Sequence, residues 1–492
     1  MKRSSKLKVV SIATIMCGML LSANVANATT YNFKEHITSL HTKEEIETKY
    51  NESVNPNYPE VEYEVEPSAE YPYVVGSLKQ TARSSVINRI NYYRWLSGLN
   101  DVTENTAKNE RNQKGAILLN RLGTLTHTPE KPDDMDEDFF NEGYSACFYG
   151  IEPGDVYSGN VAYDNFHSLP DIVDLYIADI YNGDTSHGAV GHRLSILDPF
   201  ATKVSMGKCG NYSTLSVYYE PDSDTYNSVS PVKLDTQPYY SYPTAGYFPK
   251  QFCFTNEYWS ILIPGTYSIK KSNIKVTIEY NGVIYAVPTI QEGSFYAIDF
   301  KLPSSLVNQI GGEYSTMPEG QFIIRAEGFK VPGNTYLNIE YTVNFFDADI
   351  PITEIFFEKE EYTVEVGETE NIGLFYSPAA ADVKPAEINW NIEDGKIASI
   401  DENGTVTALR PGVTNITVTV QDITRTCKLI VPGDPYVLGD LDDNGKVDAE
   451  DAAIAIELFK KSEYNPAADI DGNGRVTAED AALILEIFKT SK

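Results

Sequence analysis

The chain has 492 residues, with 70 acidic against 39 basic side chains and a net charge of −31. That length exceeds what one hydrophobic core fills, so several domains are expected. A surface this acidic repels nucleic-acid phosphates and anionic membranes, which argues against both as partners, and it suits solubility and divalent cations.

Lys2, Arg3, Lys6 and Lys8 precede an uncharged apolar run from Val9 to about Ser22, and Ala26-Asn27-Ala28 follows. This order predicts a signal peptide over residues 1–28, cleaved after Ala28, and a secreted, extracellular protein. The run is shorter than the roughly 20 apolar residues of a membrane helix, and no other segment reads as a membrane span. Without the four basic residues and no acidic ones of that leader, the net charge is −35. Cys147, Cys209, Cys253 and Cys427 are too sparse for a disulfide framework and form no CxxC pattern. Cys147 and Cys209 fall in one predicted domain and can pair after export; the spacing leaves this open.

Residues 29–79 read as an acidic leader or linker punctuated by Pro56, Pro59, Pro67 and Pro72, with a short helix near 43–50. From about Ser84, the three- and four-residue spacing of Val86, Ile87, Ile90, Tyr93 and Leu96 predicts a helix, and a second follows over about Ala107–Leu119. Residues 234–349 turn to β-runs. Ile274–Tyr280, Asn281-Gly282 and Val283–Val287 spell a hairpin, because Asn-Gly tolerates the positive φ angles of a type I′ turn. This stretch is read as an all-β sandwich. Its tyrosines and Trp259 are read mainly as core, with glycan binding as their other use.

Residues 350–432 alternate short strands with turn signals. Trp390, Ile397-Ala398-Ser399-Ile400, Asn403-Gly404-Thr405-Val406-Thr407-Ala408, and Pro411-Gly412 before Ile416-Thr417-Val418 resemble the bacterial Ig-like group 2 repeat. The resemblance implies an Ig-like β-sandwich that spaces or adheres and carries no chemistry.

Residues 80–233 carry Ile90-Asn91-Tyr92-Tyr93-Arg94-Trp95-Leu96-Ser97-Gly98-Leu99, Leu125-Thr126-His127-Thr128-Pro129, Ser158-Gly159-Asn160-Val161-Ala162, and Val190-Gly191-His192-Arg193-Leu194-Ser195-Ile196-Leu197-Asp198-Pro199. This series gives the stretch a resemblance to CAP (SCP/PR-1-like) domains. It implies an α-β-α sandwich whose cleft carries two histidines and two acids, sometimes with zinc. His127, His192 and Asp179 match three of these positions, and Gly159 stands where the family has a glutamate. The resemblance therefore implies at most a weakened Zn²⁺ site, and His127, Asp179 and His192 are the candidates for any acid–base chemistry. His36, His41, His167 and His187 match no motif and read as surface residues.

The clearest pattern is an internal repeat. Asp440, Asp442, Asn444, Gly445, Lys446, Asp448 and Asp451 recur 29 residues later as Asp469, Asp471, Asn473, Gly474, Arg475, Thr477 and Asp480. Oxygen side chains at loop positions 1, 3 and 5, a backbone carbonyl at 7, position 9, and a carboxylate at 12 suit one calcium ion per loop. The carbonyls of Lys446 and Arg475 serve at position 7 whatever their side chains. An apolar helix follows each loop, Ala452–Lys460 and Ala481–Lys489. From Asp434 onward there are 14 acidic and 6 basic residues, and two Ca²⁺ halve that excess. Two such loop–helix repeats resemble a type I dockerin over 435–492. The resemblance implies docking onto a cohesin domain of a scaffoldin, as in cellulosomes, in two near-equivalent orientations. It places Ala449, Glu450, Ile456 and Glu457, with Ala478, Glu479, Leu485 and Glu486, against the cohesin.

The expected architecture is multidomain: an α-β-α CAP sandwich, an all-β domain, an Ig-like sandwich and a small helical calcium module. The expected role is a cellulosome component that presents a non-catalytic cleft for a glycan, lipid or protein in plant polysaccharide degradation. A hydrolase acting on plant cell-wall material, a glycosidase or protease, is the alternative, although no GxSxG, HExxH or P-loop appears.

Overall fold

The computed structural model describes residues 29–34, 40–53, 63–148, 150–152, 155–163, 169–179, 190–219, 238–264, 273–288, 290–292, 297–331, 335–377, 383, 387–433, 437–442 and 444–490. The predicted signal peptide and three of the six histidines, His36, His167 and His187, lie outside these residues.

In the N-terminal part, helix α1 (Lys43–Ser53) packs on α2 (Gln80–Leu96). Of the predicted stripe, Val86, Ile90, Tyr93 and Leu96 are buried and Ile87 is half-buried against the same core. Helix α3 (Asn109–Leu122) stops where Gly123 takes φ 61°, a left-handed cap that favours glycine. Helix α4 (Glu137–Cys147) starts at Asp136, whose carboxylate accepts the Phe139 amide at 2.8 Å. Two short helices follow, α5 (Asp171–Ala178) and α6 (Gly191–Ile196).

These helices flank a five-stranded sheet ordered Thr103–Glu104, Ala201–Cys209, Tyr212–Tyr219, Asp155–Tyr163, Gly150–Glu152. Strand alternation divides its faces. Leu215, Val217 and Tyr219 join one core with residues of α2 and α5. Thr214 and Ser216 face α3, where their hydroxyls donate to the Asn112 carbonyl and side chain at 2.8 and 3.0 Å. Helices therefore cover both faces.

A second sheet is built on Thr335–Phe346, which pairs with Gly320–Val331 and, in parallel, with Thr29–Lys34 and Gly246–Pro249. The Asn281-Gly282 turn, with φ of 50° and 76°, joins Lys275–Tyr280 to Val283–Ala286 at its edge. A third sheet runs Ile290–Glu292, Ala297–Lys301, Tyr258–Leu262, Tyr240–Tyr242. Trp259 is 0% exposed among Phe300, Phe322 and Phe345, which takes it out of any glycan-binding role.

Two features depart from a division at residue 233. One continuous core runs from Ile46 to Ile350, taking in α1, α2, the five-stranded sheet and both later sheets. The stretch expected to be a linker contributes a strand to the second sheet, and its Tyr50 packs on Tyr92 and Phe252. Composition hid this, because six strand residues and one buried helix face are too few to register in an acidic, proline-rich average.

The described residues of 351–431 form small sheets, antiparallel except where Glu361–Thr363 pairs in parallel with Ile423–Val431, around a separate core of Tyr362, Val406, Ile416, Leu429 and neighbours. The buried Ser377 hydroxyl donates to buried Asp171, tying this sandwich to α5. Helix α7 (Ser304–Gln309) belongs to the preceding part. The C-terminal module has two helices, α8 (Ala449–Lys461) and α9 (Ala478–Thr490), packed through Ala452, Ala455, Ala481 and Ile484. Among the described residues, no helix is long and apolar enough to cross a membrane.

Candidate functional site

Each C-terminal loop folds around its own carboxylates. Asp440 accepts the amides of Asn444 and Gly445 at 3.1 and 2.7 Å, and Asp451 accepts those of Leu441 and Asp448 at 2.6 and 2.7 Å. Asp469 likewise accepts from Asn473 and Gly474 at 3.0 and 2.8 Å, and Asp480 from Ile470 and Thr477 at 2.8 Å each. Gly445 and Gly474 turn the loops with φ of 83° and 80°. Burial works against the Asp480 charge, but the Thr477 hydroxyl and amide and the amides of Asp471 and Ile470 hold its pKa below the ordinary carboxylate value. Both helices begin three residues earlier than predicted. In the first repeat, Asp448 and Asp451 form a reciprocal capping box, so the twelfth loop residue also starts the helix.

Ligand oxygens of Asp440, Asp442 and Asp451, and separately of Asp469, Asp471 and Asp480, lie within 4.8 Å of one another. Three carboxylates that close repel strongly unless a cation lies between them. The donor set, all hard oxygen, fits calcium, with Asn444 or Asn473 at position 5, the Lys446 or Arg475 carbonyl at 7, and Asp448 or Thr477 at 9. Bound there, Ca²⁺ supplies charge neutralisation and a fixed loop geometry.

On the helices, Ala449, Glu450, Glu457, Ala478, Glu479 and Glu486 are exposed, and Ile456 is 39% exposed. Leu485 is half-buried against the helix–helix core. Phe459, 46% exposed beside Ile456, belongs to the same face and was missed because its place in the apolar repeat reads as core.

The histidine pair is built differently. The Nδ1 of His127 lies 2.6 Å from the Cys147 carbonyl oxygen, and the His127 and His192 rings are 6.1 Å apart. Asp179 closes α5 with φ 53°. Its Oδ1 lies 2.9 Å from His192 Nδ1, and its Oδ2 accepts the backbone amides of His192 and Arg193 at 3.1 and 3.4 Å. Both oxygens are thus committed to orienting His192. Among the described residues, the groups of three or more metal-type ligands close enough to share an ion are the two loop clusters, and the expected Zn²⁺ set of His127, Asp179 and His192 is not one of them. A glutamate in place of Gly159 is also excluded by packing, since a Cβ there would stand 2.6 Å from the Ala146 carbonyl oxygen.

Cys147 and Cys209 are unpaired, and both are buried. Burial pushes their thiols up to about 12 and about 11, which makes them poor nucleophiles. A thiol reagent is expected to label none of Cys147, Cys209, Cys253 and Cys427 in the folded chain and all four after unfolding. His41, expected at the surface, stacks on Trp95 with ring centroids 3.5 Å apart.

Beside Arg193, burial pushes the Glu257 carboxyl up to about 8 against the pull of that guanidinium. Burial likewise raises Asp198 to about 7 and Asp174 to about 6. Each keeps its proton in the folded chain at pH values where the unfolded chain has lost it. Their contribution is therefore complete below the ordinary carboxylate pKa and is lost as pH rises toward 8. Thermal unfolding is expected at progressively lower temperature from pH 5 to pH 8, and Glu257→Gln should flatten that slope.

Residues 438–487 match the family model for the type I dockerin domain. The C-terminal module is a type I dockerin. Residues 351–431 match the bacterial Ig-like domain (group 2). The dockerin implies cohesin docking within a cellulosome, an extracellular assembly, and calcium in both loops. An uncharacterized protein of Clostridium acetobutylicum is 27% identical over 128 residues, 25% of this chain, and the match spans only 29% of that relative's length. Among solved structures, domains 4 and 5 of the S-layer protein SbsC (13% identity, 32% of this chain, 99% of that chain) give a TM-score of 0.17. Chicken VE-cadherin EC1-2 (13%, 34%, 88%) gives 0.16, and the fibronectin(III)-like modules of Clostridium thermocellum CbhA (10%, 37%, 90%) give 0.12. Likeness at that level carries no argument about this chain.

Proposed function

We propose that the protein is a secreted cellulosome component whose dockerin binds a scaffoldin cohesin and whose N-terminal part presents a CAP-type cleft that binds a ligand without catalysis. The observation that carries the docking half is the hydrogen-bonded carboxylate cradle that recurs 29 residues apart. Three features support the CAP reading: helices on both faces of a five-stranded sheet, His127 facing His192, and Asp179 behind His192. Non-catalytic binding is favoured because the family's glutamate position is a packed glycine. A glycan, lipid or protein ligand suits the cleft, with plant polysaccharide degradation as its setting.

One observation favours the alternative, a hydrolase. A carboxylate that fixes an imidazole by Nδ1 is an arrangement used in acid–base catalysis. Screening the intact protein against glycans, lipids and proteins, with His192→Ala beside it, separates the two readings. Binding without turnover, weakened in His192→Ala, is expected. Release of reducing sugar or peptide that disappears in the variant would replace this reading with the hydrolase.

A further inference from the structure

His192 and Arg193 are adjacent on α6, yet their side chains meet different surroundings. The His192 side chain keeps 17% exposure, but its Nε2 is buried and has no hydrogen-bond partner among the described residues. The Arg193 side chain is fully buried. Its guanidinium donates to the carbonyls of Ile177 and Ala178 at 2.5 and 2.8 Å, two of the orphan acceptors that end α5. It donates also to the Tyr258 carbonyl at 2.5 Å, lies 4.0 Å over the Tyr242 ring, and stands 3.8 Å from Glu257.

These bonds interlock two helix ends. The Arg193 side chain caps the C-terminus of α5, where Asp179 holds its left-handed backbone. The Asp179 side chain in turn caps the start of α6 and takes His192 Nδ1. A carboxylate only accepts, so the neutral imidazole carries its proton on Nδ1 and presents the Nε2 lone pair. The guanidinium's remaining partners, Tyr242, Glu257 and Tyr258, all come from the β part.

We propose that Arg193 is a positioning residue through which the β part, by Tyr242, Glu257 and Tyr258, sets the tautomer and aim of His192. The inference rests on His192 belonging to the proposed cleft, but the tautomer is read without ligand, so the two ideas fail separately. Guanidinium geometry is essential to it: a fork reaches three carbonyls at once, and an ammonium does not.

The test uses the full chain with ¹⁵N-labelled histidine at a pH where histidine is neutral, with the His192 signals assigned by His192→Gln. The wild type is expected to show a protonated Nδ1 and a bare Nε2. Arg193→Met and Tyr242→Leu should shift most of the population to the Nε2–H tautomer, with Arg193→Lys between. Arg111→Met, which removes a buried arginine from the other face of the sheet, should leave it unchanged. If Arg193→Met does not fold, Tyr242→Leu decides. Folded Arg193→Met or Tyr242→Leu protein that keeps the Nδ1–H tautomer would overturn the proposal, as would an equal shift in Arg111→Met.

Discussion

A fragment ending at residue 233 is expected to be insoluble or molten, whereas one covering residues 29–350 folds cooperatively. Cutting after 233 removes the residues that cover α2 and α5, including Tyr242, Phe252 and Ile261 of the shared core. Each large buried apolar side chain contributes about 1.5–3 kcal/mol of burial, against a total stability of only about 5–15 kcal/mol for a typical domain. Arg193 would lose Tyr258, the Tyr242 ring and Glu257 together, leaving a buried guanidinium with part of its bonds. Removing 29–34 strips the second sheet of an edge strand, and the Lys34–Glu340 pair goes with it. Circular dichroism and urea titration of the two fragments check this. A sharp single transition in 80–233 would show that the sheet and its helices form a self-sufficient core.

The second large effect lies in the dockerin. Chelation is expected to remove most of the helicity of α8 and α9, because clustered carboxylates then repel and the loops that start both helices open. Single substitutions should rank by what each aspartate does besides binding metal. Asp451→Ala deletes a ligand, the acceptor for the Leu441 and Asp448 amides, and one arm of the capping box. Asp442→Ala deletes an exposed ligand that accepts from Asn444. Each unsatisfied buried amide costs about 1–3 kcal/mol and the cap about 1 kcal/mol, so Asp451→Ala should destabilise the calcium-loaded module by several kcal/mol and more than Asp442→Ala. Calcium-dependent melting of the variants reads that order.

The dockerin was legible in sequence because its physics is local. Calcium ligands sit at fixed offsets within twelve residues, and the repeat writes the pattern twice. The Asn281-Gly282 hairpin was legible for the same reason. Arg193 shows the opposite case: within the motif it reads as one basic residue after a histidine, and its partners at 177, 178, 242, 257 and 258 come from segments far apart in the chain. The commitment of both Asp179 oxygens was hidden too, since only the left-handed turn at its backbone aims the carboxylate at α6. Thr29–Lys34 could not be placed because a parallel partner 306 residues away leaves no short-range signal.

Titration calorimetry of the whole chain against a type I cohesin tests docking most directly. With Ca²⁺, saturable one-to-one binding is expected; with chelator, affinity should fall at least about 1,000-fold, or about 4 kcal/mol. Asp440→Ala with Asp469→Ala should reproduce that loss in calcium. Binding of equal strength with and without calcium, or none to any cohesin in calcium, would contradict it.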